Sequence, residues 1–410
     1  MGPLPTPQRS AMKVRSWLGR GIQMPAASTP AARSPWWLAA RLAGAALLIG
    51  YLLLALDWSD RVTLGTDART IDARLSPGDF LVRTAPDGSM LLEETTGGTF
   101  VVPEAWRATP PPGVSFHPGI VSTLSAADPR TLAAAGVLVL FIPIVQALRW
   151  WRLLRARGFP LGYRRVLRLH WIGSFFNNFV FGMLGGDAAR VWLVHRAAPG
   201  RLGDAAISVL VDRLLGLIAL LLVGSLAGIA MTASHDRGFA VPMRCMLALL
   251  AIGAICCCSR AARRFSGIDW LVGWLGRWSR ARAAIDGLAA YNHRRGALAT
   301  GLALSLLGHA LLLGACIGAG RAFGIAAPVS DLLLPLSIAF LAGSVPIGLF
   351  GVGATEVAAV VLLADLASTN QVVGMMLTVR IAAVAASLPG GWFLARGAQP
   401  ESAANPAQVT

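Results

Sequence analysis

The chain has 410 residues, of which 55% are hydrophobic and only 14% are charged, whereas an average soluble domain carries about 25% charged residues. A water-soluble fold cannot cover that much apolar surface, so the composition excludes a soluble globular protein. The formal net charge of +16 comes almost wholly from arginines that flank apolar runs, as in the cytoplasmic loops of membrane proteins. We therefore expect no nucleic-acid partner.

Residues 1–34 contain several basic residues and no acid, among many Pro, Ala and Ser residues. This composition predicts a disordered cytoplasmic tail. The apolar run at 35–56 is too long for a secretory signal peptide, and no clean small-x-small cleavage site follows it. It is predicted to be the first transmembrane helix, retained as a signal anchor.

Residues 57–130 are polar, with ten acidic residues against six arginines, and contain no apolar run long enough to cross a bilayer. Segments 79–84 and 89–94 flank a turn signal, Ala-Pro-Asp-Gly at 85–88, and 99–102 offers a third strand. We expect a small β-rich extracytoplasmic insertion, which is a possible surface for an extracytoplasmic partner.

A transmembrane domain is predicted at 131–396. Its first span, 131–148, leads into a stretch of seven arginines without an acid that ends at Arg168, which indicates a cytoplasmic loop. The apolar run 170–184 is too short for a span and favours a re-entrant segment. Two long spans follow, at 205–231 and 241–258.

The rest of this domain combines long spans with shorter, interrupted segments. Trp270, Trp274 and Trp278 repeat every four residues and so share one helical face, which predicts an interfacial amphipathic helix within 259–298. After a span at 299–320, two short apolar segments contain Pro and Gly residues and could form two spans or one hairpin. These segments cover 331–347 and 351–367, the last span covers 372–395, and 397–410 is a polar cytoplasmic tail.

Together these elements predict an all-α polytopic membrane protein with about six to eight transmembrane helices, some broken or re-entrant, plus the β-rich insertion. We expect a multi-pass protein of the cell (inner) membrane with both termini in the cytoplasm. The five cysteines lie in or beside apolar runs and lack metal-ligand spacing. Neither a disulfide framework nor a metal site is expected, and no cofactor is implied.

Charged residues inside membrane segments cost about 2.5 to 3.5 kcal/mol each, so those that occur are candidate functional residues. Gly185 and Gly186 precede Asp187, which could N-cap the following helix, and Arg190 lies one turn later on the same side. The N-terminus of such a helix could hold an anion. In the alternative interpretation, Asp187 is only a helix cap and Arg190 only fixes the topology.

Asp212 and Arg213 lie well inside an apolar helix that begins near Asp204. Adjacent helical positions point about 100° apart, so each of the two side chains requires its own partner. A structural pairing with a neighbouring helix explains them as well as a functional site does, because buried charges are paired wherever they occur.

Pro346 and several glycines, among them Gly351 and Gly353, interrupt the apolar region that ends at Glu356. Broken helices at membrane depth commonly mark a substrate path, although glycines also serve close helix packing. Arg380, inside the last span, is a natural counter-ion for Glu356 or for a lipid phosphate.

The two interrupted regions, near 170–190 and 335–356, approach from opposite sides of the membrane in this topology, as in an inverted repeat. That arrangement predicts one central cavity surrounded by Asp187, Arg190 and Glu356. The cavity would be the place where a substrate binds.

Several short motifs follow one another within 131–396. They are Arg149-Trp150-Trp151-Arg152-Leu153-Leu154, Asn177-Asn178, Gly185-Gly186-Asp187-x-x-Arg190, Asp212-Arg213-x-x-Gly216-Leu217 and Gly351-x-Gly353-x-x-Glu356. In order and spacing they resemble the lysylphosphatidylglycerol synthase transmembrane region, whose members are also called flippase-like domain proteins. The resemblance implies a lipid-translocating membrane domain and adds Asn178 to the substrate-binding candidates.

The leading hypothesis is a protein that translocates an anionic phospholipid or a lipid-linked head group across the cytoplasmic membrane, with membrane lipids as its partners. The single lysine, Lys13, completes no Walker motif, and no catalytic motif or aminoacyl-transfer domain is recognisable, so no enzyme is expected. One alternative is a membrane-embedded enzyme or accessory protein acting on lipid-linked sugars, with Asp187 or Glu356 as a base. Another is a secondary transporter of a soluble solute.

Overall fold

The computed structural model describes residues 36–65, 78–84, 90–94, 99–102, 111, 113–179, 182–231, 294–344 and 353–396, with a few separate residues between 277 and 291. Several predicted features lie outside these residues: the tails at 1–34 and 397–410, the turn at 85–88, the span at 241–258, the three spaced tryptophans, and Pro346 with Gly351. The described residues belong to two units, one that ends at Ala43 and one that begins at Gly44 and contains the sheet and the charged sites.

The described residues form helices and one sheet. The helices are α1 (Trp36–Ala55), α2 (Ile120–Ser125), α3 (Pro129–Ala156), α4 (Tyr163–Phe179), α5 (Gly182–Ala197), α6 (Leu202–Met231), α7 (Arg295–Ala322), α8 (Val329–Gly343), α9 (Ala354–Leu362) and α10 (Thr369–Ala395). The strands are β1 (Arg61–Leu64), β2 (Gly78–Thr84), β3 (Met90–Glu94), β4 (Thr99–Val102) and β5 (Val114–His117). Among the described helices, α3, α6, α7 and α10 are long and apolar enough to cross a membrane.

The polar segment after α1 forms a five-stranded antiparallel sheet in the order β4-β3-β2-β1-β5. Alternate side chains are buried, and Val62 of β1 lies opposite Phe80 of β2 and Phe116 of β5. Strands β2, β3 and β4 confirm the three predicted strands. Strands β1 and β5 were not predicted, because four residues carry little local pattern and the two strands pair only across a long stretch of chain.

Asn370 joins the base of this sheet to the membrane helices. Its buried side chain donates from Nδ2 to the carbonyl oxygens of Asp57, at 3.0 Å, and Pro118, at 2.9 Å. Its Oδ1 accepts from the amide of Asp57 at 3.2 Å. Asp57 precedes β1 and Pro118 follows β5, so one side chain at the start of α10 binds the chain where it enters the sheet and where it leaves it.

Helix α3 begins after Asp128, whose carboxylate accepts from the amides of Arg130 and Thr131. It continues to Ala156, well beyond the predicted end of the span at 148. The first arginines of the basic stretch are therefore helical, and their assignment to a loop is wrong. Arginine is a good helix former, and Arg149 is buried in this helix because an acidic partner faces it from α6.

Helices α4 and α5 form an antiparallel hairpin over the region predicted to be re-entrant. A Cβ on Gly186 would overlap the carbonyl oxygen of Gly173, so the two helices touch through their backbones. The prediction that Asp187 caps a helix is wrong, because α5 begins at Gly182 and runs through both glycines. Gly186 allows the close approach of α4, and the helix N-terminus at which an anion site was expected lies at Gly182 rather than beside Asp187.

Helices α3 and α7 pack antiparallel along a stripe of small residues. A Cβ on Gly318 would lie 3.5 Å from that of Ala135, and one on Gly314 would lie 3.7 Å from Leu138. Toward the other end of the pair, a Cβ on Gly301 would lie 3.9 Å from Leu153. Such small residues let the helix backbones approach closely inside a membrane, where packing drives helix association.

Helices α8 and α9 flank residues 345–352, which are outside the described part of the chain. The two helices pack against each other, and α9 also packs against α10. Leu332 and Leu336 of α8, Val360 of α9, and Met375 of α10 belong to one buried cluster. Helix α9 has nine residues, far fewer than the roughly 20 that a bilayer core requires. The described part of 351–367 therefore does not form a full-length span.

Candidate functional site

A buried ion pair joins α3 to α6 inside the membrane-length helices. The Nε of Arg149 donates to Oδ1 of Asp212 at 2.6 Å, and the two side chains are 8% and 2% exposed. The Nη1 of Arg149 donates to the hydroxyl of Ser305 on α7 at 2.8 Å. Arg149 thus connects three helices, each of which is long enough to cross the membrane.

Arg213, the neighbour of Asp212, points to a different helix. Its Nε and Nη2 donate to the two carboxylate oxygens of Asp187 on α5, at 2.8 and 2.9 Å. This bidentate geometry is the strongest form of an arginine–carboxylate contact. The side chain of Arg213 is 36% exposed and that of Asp187 is 19% exposed, so this pair forms the accessible edge of the group.

Arg190 of α5 lies between the two pairs. Its Nη1 is 3.7 Å from Asp187 and 3.6 Å from Asp212. Its Nη2 is 3.4 Å from Nε2 of His170 on α4. Because an arginine can only donate, Nε2 of His170 accepts and the ring proton is assigned to Nδ1.

We call these five charged residues the charge cluster: Arg149, Asp187, Arg190, Asp212 and Arg213. Three arginines face two aspartates, so the charge cluster carries one excess positive charge. Within the described residues, neither Nε of Arg190 nor Nδ1 of His170 has a hydrogen-bond acceptor, although both atoms are buried. Buried donors without acceptors cost free energy, and an anion would supply both the acceptors and the missing negative charge.

Glycines and one asparagine shape the wall beside Arg190. A Cβ on Gly173 would lie 2.7 Å from Cγ of Arg190, so only a glycine leaves room for this arginine. The amide of Gly186 donates to Oδ1 of Asn177 at 2.9 Å, which fixes the α4–α5 hairpin. Asn178, the predicted site residue, is half-buried on α4. Its neighbour Asn177 is the residue that accepts the hydrogen bond from Gly186. Gly185 is also half-buried, on α5.

The second group of predicted site residues lies where α9 begins. Glu356 accepts from Nη2 of Arg380 on α10 at 2.7 Å, and from the amide of Gly353 at 2.8 Å. Gly353 has φ +122°, and a Cβ there would lie 2.8 Å from Leu48, so a glycine is required for both conformation and space. Gly351 is outside the described residues.

The structure therefore assembles Asp187, Arg190, Asp212 and Arg213 in one group, and Gly353, Glu356 and Arg380 in another. The predicted pairing of Glu356 with Arg380 is present. The expectation of one cavity shared by Asp187, Arg190 and Glu356 stays a prediction. The hydrogen bonds of the Glu356 carboxylate go to Arg380 and Gly353, within the second group.

Sequence reasoning missed Arg149, His170 and Ser305 as members of the site. Arg149 was assigned to a loop, yet its position directly after an apolar run, next to two tryptophans, was a usable signal of an arginine entering the membrane. His170 and Ser305 carried no local signal, because a single polar residue in an apolar helix becomes informative only when its partner is known.

No curated protein matches the chain. The family model described as "Lysylphosphatidylglycerol synthase TM region" matches residues 119–390, which is more than half of the chain and contains both groups of charged residues. The matched segment begins immediately before α2 and ends within α10, so it includes α3, α6, α7 and most of α10. This multi-pass membrane protein therefore belongs to the lysylphosphatidylglycerol synthase TM region family.

Proposed function

We propose that the protein translocates an anionic phospholipid, or a lipid-linked head group, across the cell membrane, and that the charge cluster is where the head-group phosphate crosses. The observation that supports this function is the excess positive charge of the charge cluster, in which Arg149, Arg190 and Asp212 are buried. Two buried N–H donors beside it lack acceptors within the described part of the chain. In this proposal the chain binds and moves the lipid and leaves its covalent structure unchanged.

The accessible edge of the charge cluster suggests how a phosphate enters. Arg213 is bound bidentately by Asp187, and a phosphate can offer the same two parallel acceptor oxygens. A phosphate that replaces Asp187 on Arg213 releases a carboxylate that already lies 3.7 Å from Arg190. The exchange of one ion pair for another avoids leaving any charge unpaired at membrane depth.

The hairpin that carries Asp187 and Arg190 also exposes apolar side chains. Phe179 at the end of α4 and Trp192 on α5 are each 42% exposed. A cationic site and exposed aromatic surface on one hairpin suit an amphiphile, whose head group binds the arginines while its acyl chains stay in lipid. A soluble solute would use only the charged part of this surface.

The test is translocation of fluorescent phospholipids in proteoliposomes, measured as the fraction protected from a membrane-impermeant quencher. We expect Arg213→Gln and Asp187→Asn to reduce the translocation rate by at least about tenfold, since each breaks a charge-assisted bidentate contact. Arg83→Gln is the matched control, because it breaks an exposed ion pair to Glu93 in the sheet, at 3.0 Å. Its rate should equal that of the unaltered protein.

Two kinds of result would contradict the proposal. Translocation that is unchanged by Arg213→Gln and Asp187→Asn would remove the charge cluster from the path. Native mass spectrometry that finds only bulk lipid, together with stabilisation by a soluble solute, would favour the secondary transporter instead. Chemical change of a lipid-linked sugar by the purified protein would favour the membrane-embedded enzyme.

A further inference from the structure

A second basic site lies at the end of the α3–α7 pair. A cleft of about 510 Å³ opens between the last turns of α3 and the first turns of α7. Its lining includes four arginines, Arg152, Arg155, Arg294 and Arg295, together with Thr300. The volume lies within the roughly 300 to 1,000 Å³ that is usual for small-ligand sites. We call it the basic cleft.

Within the described residues, the four arginines of the basic cleft have no acidic partner, unlike other arginines nearby. Among the described residues, no salt bridge involves any of the four, whereas Arg157 and Arg201 both pair with Asp204. The described lining of the cleft contains no acid. The guanidinium groups of Arg152 and Arg155 lie 5.6 and 5.1 Å from the ring centre of Trp151, which positions them without neutralising them.

The start of α7 lies at the same cleft. Arg294 occupies the N-cap position of α7 and makes no side-chain capping hydrogen bond among the described residues. A Cβ on Gly296 would meet no described atom within 4 Å, so the backbone is open to a ligand at this turn. A helix N-terminus beside four arginines favours a multiply charged anion.

The basic cleft also lies close to the charge cluster along α3. Arg152 follows Arg149 by three residues and Arg155 follows it by six, which corresponds to about 4.5 and 9 Å along a helix axis. Arg149 belongs to the charge cluster, so an anion leaving the cleft reaches the buried arginines within about two helical turns. The cleft sits at the helix ends, where a head group would first arrive.

We propose that the basic cleft binds a phosphate group that carries more than one negative charge, such as a phosphomonoester or a diphosphate, on a lipid head group before it moves to the charge cluster. Four arginines with no acid among the described lining residues exceed what a single phosphodiester charge can neutralise. The lipid nature of the ligand rests on the proposed function, while the anion site itself rests on the cleft.

The experiment measures equilibrium binding to the full-length protein in nanodiscs and in detergent. The probes are phosphatidic acid, which bears a phosphomonoester, phosphatidylglycerol, which bears a phosphodiester, and inorganic diphosphate. We expect phosphatidic acid to bind at least about tenfold more tightly than phosphatidylglycerol, and Arg152→Gln/Arg295→Gln to remove that preference. The matched control is Arg164→Gln/Arg165→Gln, which removes the same charge from α4 outside the cleft and should keep the preference.

A charge-preserving variant separates loss of binding from loss of folding. Arg152→Lys/Arg295→Lys keeps the cations and should retain a measurable part of the preference for phosphatidic acid. Equal binding of the two lipids, or an unchanged preference in Arg152→Gln/Arg295→Gln, would overturn the proposal. Tight binding of inorganic diphosphate without enrichment of phosphatidic acid would assign the cleft to a soluble phosphorylated ligand and overturn the lipid assignment.

The outcomes for the basic cleft and for the charge cluster are distinguishable. If no variant affects translocation but Arg152→Gln/Arg295→Gln loses phosphatidic acid binding, the proposed function fails and the cleft stands as an anion site. If Arg213→Gln stops translocation while the cleft variants bind and translocate normally, the proposed function stands and the docking role of the cleft is refuted.

Discussion

Replacing Asp212 with leucine is the most direct probe of the charge cluster. The substitution removes the acceptor at 2.6 Å from Arg149 and the carboxylate at 3.6 Å from Arg190. The excess positive charge of the cluster rises from one to two. Removing one partner of a buried ion pair costs about 3 to 5 kcal/mol, because the other charge stays buried without compensation.

The double substitution Arg149→Met/Asp212→Leu separates this cost from simple loss of packing. It returns the excess charge to one and leaves Ser305 satisfied, since its hydroxyl still donates to the carbonyl oxygen of Gly301 at 2.8 Å. Apolar replacement of both members of a buried pair is often nearly neutral. We therefore expect the double variant to unfold with a free energy within about 2 kcal/mol of the unaltered protein.

The assay is reversible unfolding in mixed micelles, giving a free energy of unfolding for the unaltered protein, both single variants and the double variant. A coupling energy of about 2 kcal/mol or more between the two positions is expected for contacting charges. A loss below about 1 kcal/mol for Asp212→Leu, or a double variant whose loss equals the sum of the single losses, would refute a buried, coupled ion pair.

Three further outcomes are expected. Gly186→Ala should lower the thermal midpoint and slow translocation, because its Cβ would overlap a backbone oxygen of α4, whereas Gly203→Ala, whose Cβ meets no described atom within 4 Å, should change neither. Asn370→Ala should leave buried backbone groups unpaired at a cost of about 1 to 3 kcal/mol, and hydrogen exchange of β1 and β5 should become faster. Glu356→Gln should reduce translocation by removing the charged acceptor that lies 2.7 Å from Arg380, and Glu356→Gln/Arg380→Gln should restore thermal stability toward that of the unaltered protein but not transport.

Hydropathy and periodicity, which are local properties of the chain, determined the membrane class and most helix positions. The last helix, for example, was placed at 372–395 and spans Thr369–Ala395. The cap at Ser368, where Gln371 completes a capping box, accounts for the earlier start. Strands β2 and β3 were also predictable, since a turn signal at 85–88 lies directly between the two segments in the sequence.

The pairing of the charged residues was also predictable in part from the local sequence. Adjacent helical residues point in different directions, which predicted that Asp212 and Arg213 need separate partners, and the structure supplies Arg149 to the first and Asp187 to the second. The pairing of Glu356 with Arg380 was predictable because few other opposite charges lie in the neighbouring apolar segments.

The identity of the other partners was decided by helix packing alone. Arg149 and Asp212 are 63 positions apart, and nothing in either local sequence specifies that α3 and α6 meet at that depth. The two glycines before Asp187 indicate a turn in the sequence, but both lie inside α5, where Gly186 touches the backbone of α4. The composition of each segment determines where charges enter the membrane, because insertion depends on that segment alone, whereas which charges neutralise one another depends on contacts between segments that are remote in the chain.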